Sequence, residues 1–287
     1  MPSRRSFWFI LKVLVVTLSG AGALQAAPWE FFALDNGVGR GVWSPEQQAS
    51  VLKETGFDGI SYNYTTPADL ERWLPELKSR GLRLYGLYFG ARVDGDTSLP
   101  AGLQDAVKLL RGSGAVLWLT LPNATTPGSH DDQAVKQIRA VADLAASAGL
   151  RVVLYPHFGF HLATAEHALA LIARVERANV ELSVNLCHEL AAGNGARLPD
   201  IIRKVAPSLG MVSLNGASDR PEGGWSNYIK VLGTGGYDLK PLLRALAEVH
   251  YTGPVGLQSY NLPGEPKSNL ESARRAWSEL TSSTVTR

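Results

Sequence analysis

Cysteine is almost absent: Cys187 stands alone in a chain of 287 residues. No internal disulfide can staple the fold, so stability has to come from a buried core, which a chain of this length can enclose. Low-complexity tracts, long linkers and blocks of like charge are also missing from residues 28–287. One apolar run stands out, and it lies at the start. Arg4, Arg5 and Lys12 precede apolar residues 13–24, and small Ala26 and Ala27 follow. That order predicts a secretory signal peptide over residues 1–27, cleaved near Ala26 or Ala27 and too short for a membrane span. Ser3-Arg4-Arg5-Ser6-Phe7 also resembles the opening of a twin-arginine signal. The expected location is periplasmic or extracellular, reached by the general or the twin-arginine route, with the membrane involved only through the signal.

Net positive charge disappears once that segment is set aside. The formal charge of +2 becomes −1, because residues 1–27 hold three basic side chains and no acidic one. A domain of that charge has no electrostatic footprint for nucleic acid, so nucleic-acid partners and nuclease activity are not expected. Asn63 and Asn123 each open an Asn-x-Thr glycosylation pattern, which is too common to identify a compartment. Nothing in the sequence sets an oligomeric state.

What fills residues 28–287 is one alternation: a short apolar run, a polar loop, then an amphipathic helix ending at Gly or Asn. The strand candidates cover 31–36, 59–64, 82–89, 115–122, 150–157, 180–186, 210–215 and 253–260. Helix grammar lies between them. Ser44-Pro45 and Thr66-Pro67 are N-cap and first-turn pairs, closed by Gly56 and Gly81. Residues 131–149, 164–179 and 268–280 repeat apolar residues at spacings of three and four. Eight strand–helix pairs in this length predict an α/β fold, a (β/α)8 TIM barrel forming a single domain after the signal peptide. A doubly wound open sheet is the alternative, but no G-x-G-x-x-G follows the first strand.

Functional residues of such a barrel sit at the C-terminal ends of its strands. Those ends supply Asp35-Asn36, Tyr62-Asn63-Tyr64, Tyr88-Phe89, Asn123, Tyr155 with His157, Asn185 with His188, Ser213 with Asn215, and Gln258 with Tyr260 and Asn261. Amides, phenols and imidazoles dominate, a surface suited to a neutral carbohydrate or polyol. Carboxylates are scarce there. Asp35 with Glu189 or Glu222 is the only conceivable glycosidase pair, so glycoside hydrolysis is not expected. Glu189 reads as a solvated loop charge, Cys187 as packing, and His167 and His250 as surface or packing residues. His161 either lines the mouth or caps the next helix. The glycines of residues 232–238 suggest a phosphate cradle, against which Asp238 reads as the N-cap of the helix from Lys240.

Three stretches resemble the xylose isomerase-like barrel superfamily, which includes sugar isomerases and epimerases and endonuclease IV-type enzymes. They are RVVLYPHFGF from Arg151, VNLCHELAAGN from Val184, and LGTGGYDLKPLLRALAEVHYTGPVGLQSYN from Leu232. The resemblance covers most of residues 29–280. It implies a divalent metal held by Glu, Asp, His and Glu on strands five to eight, polarising a sugar's oxygens. At those positions stand Tyr155, Asn185, Ser213 and Gln258. No cofactor is therefore expected, and a divalent metal would have to rely on His157 and His188.

Two functions follow. One is an exported isomerase-like or epimerase-like enzyme that moves a proton next to a carbonyl without metal, with His157 and His188 as general base and acid. Tyr155, Asn185, Ser213, Asn215, Gln258, Tyr260 and Asn261 would bind the substrate. The alternative is a non-catalytic carbohydrate-binding protein on a degenerate isomerase scaffold.

Overall fold

A computed structural model describes residues 29–94, 98–122, 128–220 and 224–284. The N-terminal segment 1–27, Asn123 and Glu222 lie outside them. Eight strands form a closed, all-parallel barrel in sequence order. The chain runs β1 (Phe31–Leu34), α1 (Pro45–Glu54), β2 (Gly59–Asn63), α2 (Pro67–Ser79), β3 (Arg83–Gly90), α3 (Leu103–Leu109), β4 (Val116–Thr120) and α4 (Asp131–Ala146). It continues through β5 (Val152–Leu154), α5 (Ala165–Val175), β6 (Val180–Asn185), α6 (Leu186–Ala191), α7 (Leu198–Val205), β7 (Leu209–Leu214), α8 (Trp225–Tyr228), α9 (Lys240–Glu248), β8 (Val255–Leu257) and α10 (Pro266–Thr284). The predicted barrel is the observed one. Among the described residues, no helix is long and apolar enough to cross a membrane.

The helix signals act as the sequence suggests. Ser44 closes a full capping box with Gln47, and Thr66 and Thr164 each accept a backbone N–H from the first turn of their helix. Asp238 works one residue away from expectation: its carboxylate accepts Lys240 N–H at 3.0 Å, while Leu239 occupies the cap position of α9. The short helices α6 and α8 are additional to the expected strand–helix alternation, and α3 fills the expected helix position between β3 and β4.

Successive strand residues face opposite sides, which separates two layers of core. Phe31 and Ala33 pack outward with the helices, whereas Phe32 and Leu34 point into the barrel beside Tyr85, Trp118, Tyr155 and Met211. The interior is aromatic. Phe32 stacks on Tyr85 at 4.7 Å, Tyr88 on Trp118 at 4.7 Å, and Tyr155 meets Trp118 edge-on at 4.9 Å. Rings this large need small neighbours, and a Cβ on Gly256 would lie 2.6 Å from the Phe32 ring. The Trp118 indole N–H donates to Ser183 Oγ at 2.9 Å, and Ser183 in turn donates to Leu154 O at 3.1 Å. This packed, hydrogen-bonded plug forms the floor on which the mouth is built.

Candidate functional site

A cavity of about 540 Å³ opens above that plug. Leu34, Asn63, Gly90 and Thr120, the last residues of β1 to β4, help line it, which places it at the C-terminal mouth. Tyr155, His157, His188, Gln258 and Tyr260 also line it, so five of the expected substrate-binding and catalytic residues meet there. Aromatic faces ring the opening. Phe158, Trp225 and Tyr260 are three of the four large hydrophobic side chains that remain exposed among the described residues. A rim that leaves such rings in water is suited to the apolar faces of a sugar.

The two imidazoles are neighbours, with ring centroids 4.0 Å apart. Their hydrogen bonds set different roles. His157 Nδ1 lies 2.9 Å from Phe158 O, and a carbonyl only accepts, so Nδ1 carries the hydrogen and Nε2 keeps the lone pair. Phe158 N–H donates to His188 Nδ1 at 3.3 Å, which assigns the hydrogen of His188 to Nε2. That N–H donates to the Tyr155 phenol oxygen, 3.2 Å away. Gln258 Oε1 already accepts from Asn36 Nδ2 at 2.5 Å and from Tyr260 N–H at 3.0 Å, so its amide nitrogen faces the same phenol. With its oxygen accepting from both sides, the phenol's own O–H is left to point at whatever occupies the cavity.

Burial shifts the protonation equilibria toward neutral forms. It pushes His157 below its ordinary value, partly offset by the Phe158 carbonyl. His188 falls well below, through burial and then the neighbouring His157. Tyr155 rises well above the usual phenol range for the same reason, so it stays a neutral donor.

Other expected residues go elsewhere. Asn185 and Ser213 are paired positions on β6 and β7, and they turn to each other rather than into the cavity: Ser213 donates to Asn185 Oδ1 at 2.9 Å. Asn185 Nδ2 completes the arrangement on Pro156 O and Ser183 Oγ, each at 3.1 Å. Asn215 is buried, and its amide ties down Gly216 O and Tyr228 O in the loop after β7. Asn261 lines a separate small hollow with Asn36 and Ser259. Glu189 corrects the expectation of a solvated charge. It is buried, accepts Ala165 N–H and Asn194 Nδ2 at 2.7 Å each, and caps the start of α5. Asp35 is also buried, salt-bridged to Arg40 and accepting Asn63 N–H at 2.9 Å. Cys187 is packing, its thiol pushed up to about 12 by burial. The glycine loop is a structural bridge: Ser218 pairs with Gly236, and a Cβ on Gly235 would lie 2.3 Å from Ala217 O.

Three wall residues escaped the sequence reading. Arg40 is the one formal charge among the described lining residues, Phe160 stacks on His157 at 4.0 Å, and Trp225 stands 5.4 Å from the His188 ring. Arg40 and Phe160 lie in irregular segments beyond strand ends and Trp225 opens the four-residue helix α8, all too short for either period to apply. A further group sits outside the cavity: Asp131, His161 and His167 bring one potential metal-ligating atom each within 4.8 Å of one another.

A family described as "Xylose isomerase-like TIM barrel" matches residues 49–280. No curated relative matches the chain by sequence. Among solved structures, 3-keto-D-glucoside 4-epimerase from E. coli superposes with a TM-score of 0.72 at 17% identity, over 88% of this chain and 99% of that one. D-Allulose 3-epimerase from Methylomonas sp. gives 0.72 at 20% identity, over 88% and 98%. An L-ribulose 3-epimerase gives 0.72 at 20%, over 88% and 95%. At such identities the likeness is one of fold.

Proposed function

The chain belongs to the xylose isomerase-like TIM barrel family, and on that footing we propose that it is an exported enzyme that isomerises or epimerises a carbohydrate by metal-independent proton transfer beside a carbonyl. The observation that carries this reading is the oriented imidazole pair. His157 offers a neutral Nε2 lone pair next to a chain of donors that runs from Phe158 N–H through His188 to the Tyr155 hydroxyl. His157 Nε2 takes the proton from the carbon beside the carbonyl. The electron pair moves onto the carbonyl oxygen, where the Tyr155 O–H stabilises the developing enolate. His188 remains a neutral hydrogen-bond donor throughout, since its burial opposes a second charge beside a protonated His157. The imidazolium then returns the proton. Return from the same face to the former carbonyl carbon, with the neighbouring hydroxyl's proton passing to the enolate oxygen as that hydroxyl becomes the new carbonyl, gives isomerisation, whereas epimerisation needs a second acid on the other face. Among the described wall residues His157 alone keeps an imidazole lone pair that no backbone N–H engages, which favours isomerisation.

The family implies a divalent metal at the ends of strands five to eight, and the residues present there do not fit one. Tyr155, Asn185, Ser213 and Gln258 supply no carboxylate, and no described residue of the cavity wall supplies one. Asn185 and Ser213 spend their polar atoms on each other, on Ser183 and on Pro156. Both nitrogens of His188 are already engaged. Hard cations need several anionic or carbonyl oxygens, so no step is routed through a metal in this cavity.

The relatives named as sugar epimerases support a sugar as substrate, as do the exposed aromatic rim and the amides. The second reading, a carbohydrate-binding protein, is favoured by how completely Asn185, Ser213 and Gln258 are tied into the wall. Turnover of aldose and ketose panels by chelator-dialysed protein separates these readings. Product formation that His157→Gln abolishes supports the enzyme. Activity that returns only with added Mn²⁺ or Co²⁺ would overturn its metal independence.

A further inference from the structure

Asp131, His161 and His167 come from three separate segments and play no part in the chemistry above. Asp131 is the first residue of α4, His161 lies in the loop after β5, and His167 sits in the first turn of α5. Each is held by its surroundings. His161 is fully buried, and its backbone N–H donates to Leu121 O at 3.1 Å; the backbone N–H of His167 donates to the Thr164 hydroxyl at 3.2 Å. Both imidazoles aim their Nε2 atoms at one carboxylate oxygen, Asp131 Oδ1, at 3.0 and 2.9 Å.

We propose that Asp131, His161 and His167 form a site for a divalent first-row transition cation of the zinc type, which clamps the loop carrying His157. Two imidazole nitrogens and one carboxylate oxygen are a donor set for Zn²⁺ and its neighbours, not for Mg²⁺ or Ca²⁺, which prefer oxygen alone. Tetrahedral zinc with bonds of roughly 2.0–2.1 Å sets its ligand atoms about 3.4 Å apart, so the two Asp131–imidazole distances have to lengthen by only a few tenths of an ångström. Binding moves the two Nε2 hydrogens, which shift to Nδ1 or leave, and the nitrogen lone pairs replace them on the metal. A hollow of about 340 Å³ adjoins the site, lined by His130, Asp131, Asp132 and Arg174 among others, and gives a cation access. It also leaves room for a fourth ligand, a water or His130, whose ring centre is 6.2 Å from that of His161.

Charges around the site are nearly balanced. Arg174 Nη1 stands 3.9 Å from Asp131 Oδ2, but its other nitrogen is paired with Asp132. The site connects with the cavity through a single tight loop. His157 N–H donates to Leu162 O at 2.8 Å, and Phe160 N–H donates to His157 O at 2.9 Å, so anchoring His161 anchors His157 and Phe160 as well. This site is distinct from the strand-end positions at which the family's metal is implied, and its existence does not depend on the reaction proposed above.

The test is calorimetric titration of the chelator-stripped full chain with Zn²⁺ alone, and with Mg²⁺ for comparison. One Zn²⁺ per chain and no Mg²⁺ is expected. His167→Gln and Asp131→Asn should each weaken Zn²⁺ binding by at least about 100-fold. The His157→Gln/His188→Gln double variant should keep it. Replacing fully buried His161 risks the fold, so the partly exposed His167 and Asp131 carry the test. Three results would overturn the proposal: no saturable Zn²⁺ binding, binding that survives both single variants, or binding lost in the double variant instead.

Discussion

Asn185→Asp would install the carboxylate that the family places on strand six, and the structure sets what that costs. Asn185 is 1% exposed, donates two hydrogen bonds to Pro156 O and Ser183 Oγ, and accepts one from Ser213. An ionised aspartate keeps only the Ser213 bond and sets an anionic oxygen against the Pro156 carbonyl in a dry site. Ser183 cannot compensate, because its hydroxyl hydrogen is committed to Leu154 O. A protonated aspartic acid does better: its O–H replaces one of the two lost donors, leaving a deficit of about 1–3 kcal/mol for the other. The carboxyl therefore titrates above its unfolded value of about 3.9. For a group raised in the folded state, the stability present below the unfolded pKa is lost as pH rises toward the folded one. The deficit should grow by about 1.4 kcal/mol per pH unit above pH ~4 until the folded value is passed, reaching at most about 4–6 kcal/mol near pH 6. Urea unfolding of wild type and variant, followed by tryptophan fluorescence between about pH 4 and pH 7, measures the difference. A deficit that is flat with pH, or smaller than about 1 kcal/mol, refutes a closed amide network at this position.

Histidine burial predicts acid sensitivity of the wild-type chain. His188 is neutral when folded and takes a proton near pH 6.5 when unfolded, so stability falls as pH drops below about 6.5, by up to about 1.4 kcal/mol per unit for this residue. His188→Gln should flatten that slope in urea titrations at several pH values, and an unchanged slope contradicts the reading. Glu189→Ala leaves Ala165 N–H without its acceptor and should cost about 1–3 kcal/mol, whereas a surface carboxylate would cost almost nothing by the same measurement. Trp225→Ala removes a ring that is 39% exposed at the rim. Sugar affinity should drop about 2- to 10-fold by calorimetry with little change in melting temperature; an unaltered affinity removes Trp225 from the binding surface.

The barrel was legible because it is written in local signals. Ser44-Pro45, Thr66-Pro67 and the terminal glycines mark helix ends by short-range chemistry, and the apolar runs between them count out the strands. Tyr155, His157 and Gln258 were legible for a related reason, since the barrel fixes where strand ends point. Asn185 and Ser213 were not, because their pairing is a matter of register between β6 and β7 that neither strand encodes alone. Arg40 reaches the cavity from a turn five residues beyond Asp35, where its ion pair rather than any periodicity places it. Glu189 was misread although Leu186, Cys187 and Leu190 beside it are buried: the polar positions drew attention from the apolar ones. The meeting of His161 and His167 with Asp131 spans 30 and 36 residues, beyond the range of any local pattern.

Solvent exchange at carbon is the shortest route to the chemistry. A sugar that raises the melting temperature of the protein is incubated with it in D₂O, and deuterium at the carbon beside the carbonyl is followed by NMR. Proton transfer through His157 predicts deuterium incorporation that His157→Gln abolishes. A sugar that binds without acquiring deuterium, or that acquires it equally with His157→Gln, would contradict that chemistry and leave a carbohydrate-binding barrel.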